Sequence, residues 1–366
     1  MISKITIDKV FQTALVEEVI GDFIQLKKSG SNYKGLSPFT NEKTPSFMVS
    51  PTKQIWKDFS SGKGGNVIAF LMEHEQYSYP QSIRYLADKY NIERIETELT
   101  DKQKDQNNAK EKLFLICDFA KNYFLNQFNE SHFGKTIART YFDEREFNDE
   151  TLKKFEIGSL GSEKYNLRDH CLSMGYNTDD LEALGLISSK NQMDIYRSRL
   201  IFPIKSISGR TIGFGARILD NNKKSAKYIN SPDSIIYNKS NVLFGLYNSK
   251  NEIVKKDNCF IAEGYTDVMR FHQIGIKNIV SSSGTALTVS QINLIRRLTK
   301  NVTMLFDSDK AGVNATERAV ELLLSQGMNI DICILPDSED PDSFGRSKTT
   351  EEIKNYVEEN SVDFIE

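Results

Sequence analysis

The chain has 366 residues, which is enough for two or three domains of ordinary size. Hydrophobic residues make up 39% of it and aromatic residues 10%, so the sequence can bury ordered cores and is not globally disordered. The 47 basic and 50 acidic side chains give a net charge of −3, which excludes a uniformly basic nucleic-acid-binding protein but not one with separate basic and acidic regions.

The sequence predicts a cytoplasmic protein without a membrane segment. No apolar run approaches the roughly 20 residues of a membrane span, and the first residues lack the apolar region of a signal peptide. The four cysteines are far apart and form no CxxC pair, which favours buried free thiols over disulfides or a cysteine zinc site.

The first part of the chain predicts a small mixed domain. A helical pattern at 7–20 is followed by short strand-like runs at 23–59, and helical patterns resume at 66–74 and 80–90. Residues 99–112 contain one branched apolar side chain and no periodicity, so they predict a linker.

The rest of the chain predicts an α/β arrangement. Residues 112–128 have the pattern of an amphipathic helix, and LIFPI and TIGFGARIL predict two strands around the Ser208-Gly209 turn. From Cys259 onward, the short apolar runs CFIA, NIVSS, VTMLF and IDICIL alternate with helical segments. Such alternation predicts βαβ units and a parallel sheet.

Charge is distributed unevenly along the chain. Residues 27–63 carry a net charge of +5, residues 190–240 carry +7, and residues 330–366 carry −8. The two basic segments suit a polyanion such as nucleic acid, although a solvated surface explains either segment alone equally well.

Carboxylates follow three of the predicted parallel strands. Glu263 comes directly after CFIA, Asp307 and Asp309 come after VTMLF, and the acidic run 337–342 follows IDICIL. Ligands of open α/β sheets bind beyond the carboxyl ends of the strands. Carboxylates without His or Cys favour Mg²⁺ or Mn²⁺, and such ions serve phosphoryl transfer. For the DxD motif alone, a surface turn is a better explanation than a metal site. A surface turn does not explain why Glu263 occupies the matching position after another strand.

These acidic motifs belong to a longer resemblance. Segments IAEGYTD (261–267) and FDSDKAG (306–312) resemble the Toprim signature of topoisomerases and primases, and EGYxDV is the form of bacterial DnaG-type primases. Further similar blocks are SSSGTALT (281–288), then RSRLIFPI, GFGAR, KYINSP and YNKS between 197 and 240, and YKGLSPF, EKTPSF and GKGGN before residue 67. The sequence is identified as a member of that primase family along nearly its whole length.

The resemblance implies an α+β multidomain fold. A small antiparallel-sheet, zinc-ribbon-like module is expected before a mixed α/β polymerase domain that contains a Toprim parallel-sheet subdomain. The expected divisions are the module at 1–98, the linker at 99–112, the first part of the catalytic core at 113–256, the Toprim subdomain at 257–340, and the start of a C-terminal helical region at 341–366.

The resemblance also implies site residues. Glu263, Asp307 and Asp309 would be catalytic and hold Mg²⁺ or Mn²⁺, helped from the edge by Asp340 and Asp342. Asp267 would orient its neighbours or lie on a helix surface. A basic ridge of Arg197, Arg199, Arg217, Lys227, Asn230 and Lys239 would bind template and nucleotide, with Asn230 alternatively capping the next turn. The module's expected DNA contacts are Lys43, Lys53, Lys57 and Lys63, with Trp56 or Phe59 as stacking platforms, although a core position is the more common fate of such aromatic residues.

The module departs from the family at its zinc ligands. The family has Cys and His in the first motif and two cysteines before GKGG, whereas those positions here are Ser37, Thr40, Asp58 and Ser61. Hydroxyls are poor zinc ligands, so no zinc is expected. An aromatic core of Phe39, Phe47, Trp56, Phe59 and Phe70 is expected to replace the roughly 10–16 kcal/mol of a structural zinc, and a partly folded module is the alternative.

The predicted function is that of a DNA primase, a DNA-dependent RNA polymerase that makes short RNA primers on single-stranded DNA from ribonucleoside triphosphates. A Toprim nuclease or topoisomerase fragment shares the carboxylates but leaves the first module unexplained. A primase-like protein that binds single-stranded DNA without extending primers is the third possibility. The family's helicase-binding domain is expected to be absent, because the sequence stops at Glu366; a fragment and a short mobile-element primase both fit.

Overall fold

The computed structural model describes residues 2–363 apart from 41, 76, 95–100, 220–224, 285, 307–309 and 337–338. The chain divides into two compact units, residues 1–105 and 106–366. None of the helices in the described ranges is long and apolar enough to cross a membrane.

The first unit is built on a five-stranded antiparallel sheet whose strands are ordered as in the chain. Its elements are α1 (Lys4–Thr13), α2 (Val16–Gly21), β1 (Lys27–Ser29), β2 (Asn32–Gly35), β3 (Phe47–Ser50), β4 (Ile55–Asp58), β5 (Gly64–Gly65), α3 (Val67–His74) and α4 (Tyr79–Lys89). The single helix predicted at 7–20 is two helices, because Ala14 and Leu15 are extended. The amide of Val16 at that break binds the Gln54 side chain at 2.9 Å.

Four of the five predicted aromatic residues form the core of this unit. Phe47 stacks on Trp56 with 5.3 Å between ring centroids, and Phe39 and Phe70 lie within 6.4 Å of Phe47. Trp56 is 1% exposed, which contradicts the alternative that it is a stacking platform. Phe59 is 69% exposed, so its assignment to the core was wrong. Phe59 directly follows β4, where the alternation of inward and outward side chains ends.

The second unit begins with a long helix. The helix predicted at 112–128 is confirmed, but α5 (Asp101–Glu130) begins near the start of the expected linker and continues through it. Lys, Gln, Glu and Ala have high helix propensity, and an anchored helix extends at low cost because its nucleus already exists. A polar sequence therefore does not distinguish a solvated helix from an irregular linker.

An antiparallel sheet with the order β6-β7-β8-β9 follows. This region contains α6 (Arg139–Asp143), α7 (Asp149–Lys154), β6 (Gly158–Leu160), α8 (Asn166–Ser173), α9 (Thr178–Ala183), β7 (Arg199–Lys205), β8 (Thr211–Ile218) and β9 (Tyr228–Asn230). Both faces of the sheet are covered. Ile201 and Phe214 pack with Phe124 of α5, whereas Leu200 and Phe202 pack toward the next sheet.

The predicted alternation of strands and helices after Cys259 is confirmed. The elements are α10 (Leu246–Lys256), β10 (Cys259–Ala262), α11 (Tyr265–Gln273), β11 (Ile279–Ser281), α12 (Val289–Arg296), β12 (Asn301–Phe306), α13 (Lys310–Ser325), β13 (Asn329–Ile334), α14 (Pro341–Ser347), α15 (Thr350–Asn360) and β14 (Ser361–Asp363). The sheet order is β11-β10-β12-β13-β14, with parallel pairs except at β14.

The parallel-sheet subdomain extends beyond the boundary expected at residue 340. Strand β14 pairs antiparallel with β13, so that Val362 lies opposite Ile332. Ile353 of α15 is fully buried in the core beneath the sheet. Residues 341–363 therefore complete the parallel-sheet subdomain instead of starting a separate helical region.

Candidate functional site

The carboxylate-bearing strands are neighbours. Strand β12 lies between β10 and β13, and all three run parallel. Ile261 pairs with Met304, so continuing this register by two residues sets Glu263 level with Phe306. Glu263 is exposed, which leaves a hard oxygen ligand accessible at the edge. The predicted partners Asp307 and Asp309 come next after β12 but lie outside the described residues.

Asp267 holds the turn that carries Glu263. Its carboxylate accepts a hydrogen bond from the Gly264 amide at 2.7 Å and caps the start of α11. A side chain at position 264 would begin 3.1 Å from that carboxylate. Of the two roles expected for Asp267, the structure therefore supports the orientation of its neighbours.

The two remaining acidic residues differ in their surroundings. Asp340 is exposed and caps α14, accepting the Ser343 amide at 2.7 Å. Asp342 is 5% exposed and accepts a hydrogen bond from Arg270 Nε at 2.9 Å. Arg270 is itself 2% exposed and also donates to the backbone carbonyl of Arg145. Asp342 thus already has a buried cationic partner, and its metal role stays a prediction.

Two residues of the basic ridge bind the backbone. Arg199 is buried and donates from Nη1 to the carbonyls of Ala226, at 3.0 Å, and Lys227, at 3.5 Å. Burial lowers the pKa of its guanidinium. Arg197 donates to the Asp194 carbonyl at 2.9 Å. These two arginines shape the ridge, whereas Lys227 itself is exposed.

Arg217 lies beside an arginine that the sequence analysis missed. Arg217 Nη1 donates to the Tyr228 hydroxyl at 2.9 Å, and its guanidinium lies 4.6 Å from the ring centroid of Tyr141. Arg145 stacks on the same ring at 4.1 Å, and its Nε is 3.6 Å from Asp342. A single arginine in a turn carries no sequence signal, so only the fold shows that Arg145 joins the ridge.

The last two ridge residues line a narrow cleft. Asn230 and Lys239 meet Ser282 and Ser283 there, next to the first residues of α11. The Asn230 side chain donates to the Ser283 carbonyl at 3.2 Å. The Asn230 side chain thus bonds a loop that is distant in the chain, while the Ser231 hydroxyl, at the turn that Asn230 was alternatively expected to cap, accepts the Phe214 amide of β8 at 2.9 Å.

In the first unit, the lysines predicted to contact DNA are exposed: Lys43, Lys53, Lys57 and Lys63. Lys63 pairs with Glu73 at 2.6 Å, and its ammonium lies 4.8 Å from the ring centroid of Phe39. Phe59 follows Lys57 on the same hairpin, and its ring is exposed to solvent. An exposed aromatic ring among lysines can stack on a nucleic-acid base.

The four residues at the family's zinc-ligand positions lie close together, and the carboxylate of one of them, Asp58, is at the centre. Asp58 is fully buried and accepts hydrogen bonds from the hydroxyls of Ser37, at 2.8 Å, and Ser61. Ser60 also donates to Asp58, at 2.9 Å, and bonds Thr40 at 2.6 Å. A hydroxyl cluster centred on a carboxylate thus occupies this corner of the module.

The cluster keeps Asp58 charged. Burial alone would raise the pKa of Asp58, but hydrogen bonds from Ser61, Ser37, Ser60 and Ser46 outweigh it and lower the pKa to about 2. Charge-assisted hydrogen bonds are the strong class in proteins. The cluster is therefore a stabilising feature at neutral pH, built from residues that coordinate zinc poorly.

Three family models match successive parts of the chain. Residues 2–103 match a CHC2 zinc finger, residues 123–250 match the N-terminal domain of the DNA primase catalytic core, and residues 260–345 match a Toprim-like domain. Similar curated proteins include the DNA primase of Aquifex aeolicus, which is 36% identical over 96% of this chain and 68% of its own length. The chain belongs to the DnaG-type DNA primase family.

Solved primase structures share the fold. A crystal structure of the zinc-binding and RNA polymerase domains of the Aquifex aeolicus primase has a TM-score of 0.64 at 34% identity, covering 98% of this chain and 86% of that one. A DnaG primase catalytic domain bound to single-stranded DNA has a TM-score of 0.63 at 30% identity, covering 70% of this chain and 83% of that one.

This primase-family chain spans only part of other relatives. The DNA primase of Clostridium acetobutylicum is 38% identical over 100% of this chain but only 60% of its own length. The chain matches 56% of the length of the Listeria monocytogenes DNA primase, at 34% identity. The similarity establishes the family for the residues present here.

Proposed function

We propose that this chain synthesises short RNA primers on single-stranded DNA by metal-assisted nucleotidyl transfer. One observation carries the proposal: Tyr265 follows Glu263 by two residues, its ring packs on Phe202 of β7 and over Gly215 of β8, and its hydroxyl bonds Asn230. Arg217 lies two residues along β8 from Gly215. The carboxylate edge and the basic strand pair are thus parts of one packed unit. Metal ligands beside phosphate-binding cations are what nucleotide addition requires.

In this proposal, Glu263, Asp307 and Asp309 hold Mg²⁺ or Mn²⁺, with Asp340 and Asp342 in support. The donor set fits, because an exposed carboxylate at a strand end is a hard ligand. A bound metal would hold the attacking and leaving oxygens of the transfer. Arg217, Arg145 and Lys227 would bind template and triphosphate oxygens; the guanidinium fork suits two oxygens at once.

The proposed partners are single-stranded DNA and ribonucleoside triphosphates. A related catalytic domain is described as bound to single-stranded DNA. A Toprim nuclease would use the same carboxylates, but the match to the primase core across 123–250 gives it no support. The test is to incubate the purified chain with single-stranded DNA, ribonucleotides and Mg²⁺: we expect short RNA products, and degraded DNA without RNA synthesis would favour the nuclease.

We further propose that the first module folds without zinc, because the Asp58 cluster occupies the ligand positions. The purified chain is therefore expected to carry far less than one zinc per molecule, and zinc chelators are expected to leave the melting temperature of the module unchanged. The matched control restores Cys, His, Cys and Cys with Ser37→Cys, Thr40→His, Asp58→Cys and Ser61→Cys, and this variant is expected to bind one zinc. Elemental analysis that finds one zinc per unmutated chain would overturn the proposal.

The two basic segments are expected to act at different steps. Lys227→Ala should slow extension of a pre-annealed primer strongly, because that lysine belongs to the catalytic unit. Lys43→Ala with Lys57→Ala should weaken single-strand binding and de novo initiation, with a shallower salt dependence, since each lost phosphate contact releases about one fewer counterion. Rates of both reactions and binding at several salt concentrations decide the matter. If Lys227→Ala weakened only DNA binding and the Lys43→Ala, Lys57→Ala double variant slowed extension of the pre-annealed primer, the roles proposed for the two segments would be reversed.

A further inference from the structure

Tyr265 is buried at the junction of the two sheets of the second unit. It is the first residue of α11, separated from Glu263 only by Gly264. The ring is 2% exposed, stacks on Phe202 with 4.8 Å between centroids, and meets Phe244 edge-on at 4.7 Å. Tyr265 therefore has one packed position, and the turn that carries Glu263 is tied to it.

The phenol group connects three chain segments. The Tyr265 hydroxyl donates to Asn230 Oδ1 at 2.6 Å, and Asn230 Nδ2 donates to the Ser283 carbonyl at 3.2 Å. Ser283 lies just after β11 and has a φ of 59°, a left-handed conformation that a serine rarely adopts unless its surroundings hold it. One hydrogen-bonded chain thus runs from the Glu263 turn through β9 to the loop at 282–284.

A glycine on β8 makes room for this phenol. A Cβ atom at Gly215 would lie 2.2 Å from the Tyr265 hydroxyl oxygen. Gly215 pairs with Asn230 across β8 and β9, so the hydroxyl sits over the strand pair that also carries Arg217 and Tyr228. The close approach of the Tyr265 ring therefore explains the second glycine of GFGAR, Gly215.

We infer that Tyr265 is a positioning residue: through Asn230 it holds the Glu263 turn and the 282–284 loop in register with the basic strand pair. The inference rests on the proposed function. It follows physically because a metal-binding carboxylate must be held to within about 0.5 Å.

The test is Tyr265→Phe, which removes the hydroxyl and keeps the ring. Mn²⁺ affinity is measured by the loss of the free-ion electron paramagnetic resonance signal, and kcat and KM are measured for ribonucleotide addition to a pre-annealed primer. We expect Mn²⁺ affinity to fall about 3- to 10-fold and kcat about 10-fold, in line with the loss of one buried hydrogen bond. The affinity for single-stranded DNA should stay unchanged.

Tyr356→Phe is the matched control, because the Tyr356 hydroxyl also donates one hydrogen bond, to the Ile334 carbonyl at 3.0 Å. It should change neither Mn²⁺ affinity nor kcat. A second variant removes the acceptor: in an Asn230→Ala background, Tyr265→Phe should have a clearly smaller effect than in the unmutated chain, since the two residues share one hydrogen bond. Fully additive losses would show that the Tyr265 hydroxyl and Asn230 act independently and would overturn the inference.

The inference that Tyr265 is a positioning residue would also be overturned if Tyr265→Phe and Tyr356→Phe had equal Mn²⁺ affinity and equal kcat. The readouts separate this inference from the proposed function. If the unmutated chain binds Mn²⁺ but adds no nucleotides, the proposed function fails, whereas the Mn²⁺ affinities of the variants still decide the role of Tyr265.

Discussion

Glu263→Gln is expected to slow nucleotide addition roughly 100- to 1,000-fold without unfolding the chain. A catalytic metal contributes several kcal/mol of transition-state stabilisation. A loss of about 1.4 kcal/mol of that stabilisation slows the reaction tenfold. Glutamine keeps the size of the side chain but removes the charge that would hold the metal. Because Glu263 is exposed, its loss should change the free energy of unfolding little.

The rate of single-ribonucleotide addition to a pre-annealed primer measures this effect across a Mg²⁺ titration. Glu321→Gln is the matched control, since Glu321 is an exposed carboxylate on α13 of the same subdomain. Asp307→Ala and Asp309→Ala should behave like Glu263→Gln. Full activity of Glu263→Gln with an unchanged Mg²⁺ dependence would assign the metal to other residues.

Asp342→Asn is expected to lower the free energy of unfolding by about 3–5 kcal/mol, the usual cost of breaking a buried ion pair. The reason is that Arg270 stays buried without its counter-charge, between Asp342 and the ring of Phe147, whose centroid lies 4.2 Å from the guanidinium. Gly345 fixes the approach, because a Cβ there would lie 2.4 Å from Arg270 Cγ. Denaturant unfolding of both proteins measures the loss.

The double variant Arg270→Met with Asp342→Asn separates the two roles of Asp342. Removing both charges should restore most of the stability, because paired buried charges contribute little over apolar replacements. If Asp342 acts only as an anchor for α14, primer extension should return to within a few-fold of the unmutated rate. A stable but inactive double variant would contradict the anchor and support the metal role predicted from the sequence.

The edge that carries the carboxylates could be predicted from the sequence because its signals are local. Each strand from β10 to β13 is a short apolar run, and Glu263 and Asp307 directly follow β10 and β12. The remaining step, that β12 lies between β10 and β13, was a condition of the prediction and is met by the sheet order. The boundary of the subdomain was harder, because the three residues of β14 are too few to show a pattern.

The surroundings of charged residues could not be predicted in the same way. Arg199 and Lys227 belong to the same basic segment, yet one is buried against the backbone and the other is exposed. The difference depends on which residues face each other after folding, and net charge does not record it. The same holds for Asp342, whose partner Arg270 is 72 residues away in the chain.

The aromatic residues show both outcomes. Trp56 is inward in β4, on the same face as Asp58, whereas Ile55 and Lys57 are outward. Phe59 lies beyond the end of that strand, where periodicity no longer applies, and it is exposed. The cluster around Asp58 was likewise invisible as a unit, since the sequence shows which ligands are replaced but not that their hydroxyls converge on one carboxylate.

The most direct test of the proposed function follows a labelled RNA primer annealed to a DNA template, in the presence of ribonucleoside triphosphates and Mg²⁺. We predict that the unmutated chain lengthens the primer by nucleotides complementary to the template, that chelation of Mg²⁺ stops the reaction, and that Glu263→Gln slows it roughly 100- to 1,000-fold. A primer that stays unchanged or becomes shorter, under conditions in which the chain is folded and binds the template, would contradict the proposal.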